Sequence, residues 1–267
     1  MTADPGYDPF HDPMLGDPYP LFARAREEAP VFYAAQIDHW VVARRADILE
    51  VFRDLDSFSA TNSITPITEL GPGAQQILRD GGWGITPALG NNDRPEHLRF
   101  RRNVSRAFTA RRVAELEPFI TERAHEVVDG FAAAGEADLV SALLWELPAR
   151  VILHLLGIPE ESAPIVQEAA DNRVRFIWGS LEPLEQERLA EAMVRFWAHL
   201  RQLVEERIAS PRSDLTSALL EVRGGDDSVF TVDEICSVLF AFLTAGHETT
   251  SSLLANAVRR LLEDPTA

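Results

Sequence analysis

The sequence contains no lysine and a single cysteine. Its 25 basic residues are therefore all arginines, and they face 42 acidic residues, so the formal net charge is −17. The phosphates of nucleic acids and anionic membrane surfaces repel such an acidic protein, which argues against non-specific binding to either. The lone thiol, Cys236, excludes an intrachain disulfide framework.

Signals for secretion or membrane anchoring are also missing. The N-terminal residues MTADPGYDPFHDPML have neither a basic start nor an apolar core, so they predict no signal peptide and no anchor. The charge-free stretch 235–246 is shorter than the roughly 20 apolar residues that cross a bilayer. A length of 267 residues suits one large domain or two modest ones. We expect a soluble, cytoplasmic protein that binds neither nucleic acid nor membrane.

The stretch 231–263 predicts the longest helix of the chain. Thr231 and Glu234 have the spacing of a capping box, in which each side chain bonds the other's free backbone N–H. The helix must stop before Pro265, since the residue before a proline disfavours helical geometry. Residues 235–246 carry no charge, and a helix that is apolar all round is a buried one.

The sequence AGHETT at residues 245–250 breaks this apolar pattern. Glycine weakens a helix by ~1 kcal/mol relative to alanine, and a threonine hydroxyl can bend a helix by bonding the carbonyl four residues back. Ala245 and Thr249 are four residues apart and share a face. The pattern predicts a shallow groove lined by one alcohol, with the carboxylate of Glu248 next in sequence. The alternative is a kinked core helix with self-satisfied threonines.

Residues 94–112 form a basic segment with seven arginines and one acid. On a helix, His97 and Arg101 lie one turn apart on an apolar face. A cation there needs a partner, and either an anionic ligand or an internal carboxylate would serve. The opposite face carries three arginines that we expect to point outward: Arg99, Arg102 and Arg106.

The remaining chain reads as short strands and amphipathic helices. Residues 61–92, punctuated by glycines and prolines, read as a long loop. We predict strands at 31–33 and 40–43, and helices at 19–29, 45–53, 113–134, 141–156, 162–178, 184–208 and 213–222.

Several of these motifs resemble those of the cytochrome P450 family, the haem-thiolate monooxygenases. The small-Gly-x-acid-Thr pattern at 245–249 resembles the family's oxygen-binding signature, and His97-x-x-x-Arg101 resembles the pair that holds the haem propionates. The phrase ELPARVILHLLGIP at 146–159 resembles the buried helix beside the haem. The motifs follow the family's order along the whole chain, and they match its soluble bacterial branch.

The resemblance implies a mainly α P450 fold with a small β-sheet, formed by residues 1–267 as one domain, and a haem cofactor. It implies monooxygenation of a small apolar or amphipathic molecule with dioxygen and NAD(P)H-derived electrons. Thr249 and Glu248 would steer protons to the reacting oxygen, while Ala245 and Gly246 would leave room for dioxygen.

Two further sets of residues receive roles from the resemblance. The substrate pocket would be lined by Trp83, Ile85, Phe176 and Phe242. The outward arginines, Arg99, Arg102 and Arg106, would dock an acidic electron donor such as a ferredoxin, although solvated arginines without a partner are the alternative.

The family's Glu-x-x-Arg helix and its cysteine-ligand loop have no counterpart in this sequence. Cys236 lacks the Phe-rich, glycine-containing surroundings of the axial ligand and is interpreted as a small buried hydrophobe. The chain thus resembles the first two-thirds of such an enzyme, truncated after the oxygen-binding helix, with no axial metal ligand of its own. The alternative is a non-catalytic, truncated helical protein that binds a ligand or partner, or an unstable fragment. The sequence does not name the substrate.

Overall fold

The computed structural model describes residues 4–264, which form eleven α-helices and one two-stranded sheet. The helices are α1 (Tyr19–Glu28), α2 (Arg45–Arg53), α3 (Pro72–Asp80), α4 (Glu96–Ala107), α5 (Ala110–Ala114), α6 (Glu117–Ala132), α7 (Glu146–Leu156), α8 (Ala163–Trp178), α9 (Pro183–Ala209), α10 (Leu215–Arg223) and α11 (Val232–Glu263). A π-helical turn, Val140–Leu144, leads into α7, and a 3-10 turn, Glu160–Ser162, leads into α8.

The sheet pairs β1 (Val31–Ala34) with β2 (His39–Val42) in antiparallel register, with Val31 opposite Val42. Phe32 and Ala34 alternate with exposed neighbours and are fully buried against Ala25 of α1. The mainly α architecture with a small sheet is therefore as predicted.

Helix α11 begins with the predicted capping box. The Thr231 hydroxyl accepts from the Glu234 N–H at 3.1 Å, and the Glu234 carboxylate accepts from the Thr231 N–H at 2.8 Å. The N-terminal half of α11 forms the centre of the main hydrophobic core. Its neighbours there come mainly from α9 and α7: Phe196, Trp197, Leu200, Leu153 and Leu156.

Helix α3 corrects the prediction that residues 61–92 are loop throughout. Pro72 opens the helix, where a missing N–H costs nothing because the first turn has no intrahelical acceptor for it. Gln186 of α9 accepts a hydrogen bond from the Gly71 N–H at 2.7 Å and so fixes the helix start. Tertiary contact with α9 overrides the loop-forming composition of this segment.

The basic segment 94–112 also differs from the prediction of one helix. Helix α4 stops at Ala107, and Thr109 then caps α5 by accepting from the Arg112 N–H at 3.3 Å. The break leaves Phe108 between the two helices, where its ring packs edge-to-face on Phe242 at 5.1 Å.

A buried ion pair connects α7, α9 and α10. Arg207 of α9 is 2% exposed and donates to the Asp214 carboxylate at 2.6 Å and to the Gly157 carbonyl at 2.6 Å. Asp214 also caps α10 by accepting from the Ser217 N–H at 2.7 Å. Gly157 ends α7 in the left-handed region, with φ +75°, and a Cβ there would overlap the Asp214 carboxylate.

Candidate functional site

A cavity of about 1020 Å³ lies against helix α11. Helix α11 forms one wall with residues between 241 and 254, including every residue of the 245–250 motif except His247. Val151 and Leu155 of α7 and Trp178 of α8 are among the apolar side chains that line the rest. The cavity is therefore a mostly apolar space that faces the middle of α11.

The groove of α11 carries the predicted Thr249 and Glu248, but Thr250 also lines the cavity, so the expectation of a single alcohol there is wrong. The Thr249 hydroxyl donates to the Ala245 carbonyl at 2.5 Å, so these two residues share the cavity face. Glu248 also lines the cavity, and its side chain is exposed. The Thr249 hydroxyl is therefore bonded within its own helix, as in the alternative of a kinked core helix. Thr249 also borders the cavity, as in the prediction of a groove.

Gly246 allows α7 to approach α11 closely. A Cβ at this position would lie 2.8 Å from Cδ1 of Ile152 on α7. Gly246 therefore has a packing role at this crossing, in addition to its place on the cavity wall.

His247 points away from the cavity into the core. It is 3% exposed, its Nε2 lies 3.1 Å from the Trp145 carbonyl, and its ring packs edge-on against the Trp145 indole at 4.2 Å. This arrangement gives His247 a structural role between α11 and the start of α7.

No residue of helix α4, and so neither His97 nor Arg101, lines the cavity; Gly90 before the helix and Phe108 after it do. His97 is half-buried and Arg101 is exposed. They lie one turn apart on α4, on the helix face that leads to Phe108. Within residues 4–264, neither side chain forms a hydrogen bond or a close ion pair. The internal carboxylate considered as a partner for Arg101 is therefore not found in this part of the chain.

Arg173 of α8 is a functional candidate that the sequence analysis missed. It lines the apolar cavity, its Nε is buried without a hydrogen-bond partner, and its guanidinium lies 5.2 Å from the Phe240 ring centroid. Burial lowers the pKa of Arg173, and the negative charge of Glu248 opposes this shift. No local signal distinguishes Arg173 from the other arginines of an amphipathic helix.

Known proteins with a similar sequence and fold decide the family. Residues 172–267 match the family description "Cytochrome P450". The chain is 32% identical to cytochrome P450 123 of Mycobacterium tuberculosis over 97% of its own length and 60% of that protein. It is 33% identical to the cytochrome P450 monooxygenase PikC of Streptomyces venezuelae, covering 94% of this chain and 58% of PikC.

A solved structure, cytochrome P450 CREJ in complex with (4-ethylphenyl) dihydrogen phosphate, superposes with a TM-score of 0.91 at 34% identity. The match covers 98% of this chain and 65% of that chain. The chain belongs to the cytochrome P450 family. It spans about 60% of the length of the curated P450 relatives that it matches.

The P450 cavity contains one of the four predicted pocket residues, Phe242. Phe176 is buried in a separate cluster with Leu181 and Leu189, so its assignment to the pocket is wrong. Val174 and Trp178 line the cavity instead, because residue 176 lies about 200° around the helix from either of them.

The two pocket residues predicted from the loop before α4 are also placed differently. Trp83 packs against Trp197 at 5.4 Å and Phe240 at 5.7 Å, and Ile85 packs on the same core. Neither borders the cavity of this P450. Trp83 and Ile85 both follow α3 in the chain. Because α3 packs against α9, a contact that the sequence did not predict, the residues after α3 enter the core rather than the cavity.

Arg99 does not lie on a free outward face of α4, which corrects the sequence prediction. Its guanidinium bonds the carboxylates of Glu234 and Glu96 and donates to the Val229 carbonyl at 2.9 Å. These hydrogen bonds raise the pKa of Arg99, with the bond to Glu234 the largest cause. Arg99 therefore ties α4 to the capping box of α11, whereas Arg102 and Arg106 are exposed.

Cys236, the only cysteine of this P450 sequence, is fully buried near the start of α11. Burial, and to a lesser degree the negative charge of Asp233, raises the pKa of its thiol to about 12. A thiol with so high a pKa is not a source of thiolate at neutral pH. Among residues 4–264, no helix is long and apolar enough to cross a membrane.

Proposed function

We propose that this chain forms the substrate and oxygen side of a haem-dependent monooxygenase. The substrate is a small apolar or amphipathic organic molecule, and the co-substrates are dioxygen and electrons derived from NAD(P)H in the cytoplasm. The observation that carries the proposal is the apolar cavity of about 1020 Å³ with Thr249 and Glu248 on its α11 wall. The similarity to PikC, named a monooxygenase, and to CREJ, solved with an amphipathic aryl phosphate, supports the same reaction class.

The residues around the cavity fit a haem group. Apolar walls suit a flat apolar macrocycle, and Arg101 of α4, exposed and outside the cavity lining, has a guanidinium uncommitted within residues 4–264 that is available to a propionate. His97 and Arg101 would hold the propionates, and Ala245 and Gly246 would border the dioxygen. Haem, when bound, would supply the redox centre at which dioxygen is activated.

Thr249 and Glu248 would deliver protons within this site. A hydroxyl has one proton to donate and two lone pairs to accept, and the Thr249 proton is held by the Ala245 carbonyl at 2.5 Å. The lone pairs can accept from a water in the cavity, and rotation away from Ala245 would then pass the Thr249 proton on. Glu248, exposed at the same wall, would take up the replacement proton from solvent.

The thiolate ligand of the haem would come from a cysteine outside residues 1–267. Cys236 sits nine residues before Ala245, about 14 Å along a helix axis at ~1.5 Å per residue. Its burial and raised pKa oppose metal ligation as well. We propose that residues 1–267 alone are inactive as an oxygenase.

Thr249→Ala should separate proton delivery from binding. In the haem-loaded full-length protein, we expect haem and substrate affinity to be retained while product formed per NAD(P)H consumed falls by roughly tenfold or more. The reason is that alanine keeps the helix but removes the only alcohol bonded to Ala245 within the described residues.

Ser252→Ala is the matched control for this experiment, because Ser252 is an exposed alcohol of α11 that does not line the cavity. Its ratio of product to NAD(P)H should equal that of the parent protein. A ratio that is unchanged in Thr249→Ala would remove Thr249 from proton delivery and contradict the proposed mechanism.

Arg102 and Arg106 would help to dock an acidic electron donor such as a ferredoxin. Both are exposed on α4 and free of ion pairs within residues 4–264. Arg102→Glu should weaken donor binding by roughly three- to tenfold at low salt and flatten its salt dependence, since screening acts over ~10 Å at 0.1 M. Titration of the donor at two salt concentrations measures both quantities.

Arg188→Glu, an exposed change of the same charge on α9, serves as the control and should leave donor affinity nearly unchanged. If Arg102→Glu and Arg188→Glu behave alike, the basic face of α4 contributes solubility rather than docking.

A further inference from the structure

Arg173 is an unsatisfied cation on the wall of an apolar cavity. Its Nε is buried and has no hydrogen-bond partner, and its guanidinium has no ion pair among the described residues. The contact that holds it is the face of Phe240, 5.2 Å from ring centroid to Cζ. Arg173 is half-buried as a whole, but its Nε is enclosed with no acceptor among the described residues, and a buried donor left unpaired is costly, which favours an acceptor that enters the cavity.

The half-buried Arg173 contrasts with the buried Arg207, whose guanidinium is paired within the fold. Arg207 is bonded by the Asp214 carboxylate and the Gly157 carbonyl. At the cavity, Glu248 is the one acid among the lining residues of 4–264, and it forms no close ion pair with Arg173 although its charge acts on it. Within the described residues no anion pairs with Arg173, so this cation on the cavity wall is open to an anion that enters the cavity.

We propose that Arg173 binds an anionic group of the substrate, a carboxylate, sulfate or phosphate ester, and so selects amphipathic acids over neutral molecules. This inference rests on the proposed function, since it names the substrate class of the same cavity. The anionic end would lie beside α8 and Phe240, and the apolar remainder would extend along the cavity toward the groove of α11.

Three hydroxyls and one carboxylate also line the cavity. The hydroxyls of Thr244 and Thr249 donate to backbone carbonyls of α11, and the hydroxyl of Thr250 carries no charge that could pair with an anion. Glu248 would repel an anion, which favours binding at Arg173 with the charge turned away from the groove. Guanidinium offers two parallel N–H donors to a carboxylate or phosphate, and its desolvated position strengthens those bonds.

Calorimetric titration of the haem-loaded full-length protein tests the proposal with two probes of the same shape. They are 4-phenylbutyrate, an anion, and 4-phenylbutyramide, its neutral counterpart. We expect the parent protein to bind the anion at least about tenfold more tightly than the amide, because a charge-assisted hydrogen bond to Arg173 is stronger than a neutral one. Arg173→Gln should reduce this ratio to about one without changing the affinity for the amide.

Two variants control for charge and for position on the helix. Arg173→Lys keeps a cation and should retain part of the preference, whereas Arg175→Gln removes an exposed arginine of α8 paired with Glu185 and should retain all of it. Equal affinities in the parent protein, no measurable binding of the anion, or a preference that survives Arg173→Gln would each overturn the proposal.

Thermal unfolding provides a second readout that a structural arginine would not give. Arg173→Gln should melt at the same temperature as the parent protein or higher, because it removes a half-buried cation that has no ion pair among the described residues. A fall of several degrees would assign Arg173 to packing instead. The titration measures binding and requires no turnover. A preference for the anion can therefore be found even if Thr249→Ala contradicts the proposed proton delivery, and proton delivery by Thr249 can be supported even if no such preference exists.

Discussion

Replacing Asp214 with alanine should lower the free energy of unfolding by about 3–5 kcal/mol, the cost of breaking a buried ion pair at one partner. The Asp214 side chain is 5% exposed and accepts from Arg207 at 2.6 Å. The variant would leave the Arg207 guanidinium buried with the Gly157 carbonyl and, at 3.8 Å, the exposed Glu206 carboxylate as its remaining partners. The variant would also remove the cap of α10 at Ser217. Denaturant unfolding followed by circular dichroism measures the loss.

Glu185→Ala removes one partner of an exposed ion pair and is the matched control. Arg175 and Glu185 are 49% and 34% exposed, and such a pair contributes about 0–1 kcal/mol. If Asp214→Ala destabilises the protein no more than Glu185→Ala does, the network of α7, α9 and α10 does not hold these helices together.

Gly157→Ala should destabilise the same network by a different route, by about 2–5 kcal/mol. An alanine at φ +75° costs ~1–2 kcal/mol for its left-handed backbone. Its Cβ would also overlap the Asp214 carboxylate, which adds the ~1–3 kcal/mol of an overpacked site. The same denaturant titration measures this variant.

Gly135→Ala isolates the backbone contribution. Gly135 has a similar φ of +77°, and a Cβ there would meet nothing within 4 Å. We expect a loss of only ~1–2 kcal/mol for this variant. Equal losses for Gly157→Ala and Gly135→Ala would show that the close approach of Asp214 to Gly157 makes no contribution to stability.

Because Gly157 and Asp214 are in contact, the two substitutions combined should lower the free energy of unfolding by less than the sum of their separate effects.

The limits of α11 were predictable because its end signals are local. The Thr231 and Glu234 side chains cap each other's backbone three residues apart, and Pro265 prevents continuation, so no distant contact is needed to place either end. The same holds for the groove, since the bond from Thr249 to Ala245 lies within a single turn.

The corrected positions depend on partners that are remote in sequence. Arg99 faces Glu234, 135 residues away, and α3 begins where Gln186, 115 residues further on, bonds Gly71. Periodicity places apolar side chains on a face of α8 but does not say which face meets the cavity, so it could not separate Phe176, which packs in another cluster, from Trp178, which lines the cavity. Gly246 likewise needs the position of Ile152 on α7 before its packing role is visible.

The most direct test of the proposed haem site is the Soret band of the reduced, carbon monoxide-bound protein. We predict a red-shifted, thiolate-type band for the full-length protein loaded with haem, unchanged in Cys236→Ser because that thiol is buried with a pKa of about 12. Residues 1–267 mixed with haemin should give no such band. A thiolate-type band from residues 1–267 that disappears in Cys236→Ser would contradict this assignment and make Cys236 the haem ligand.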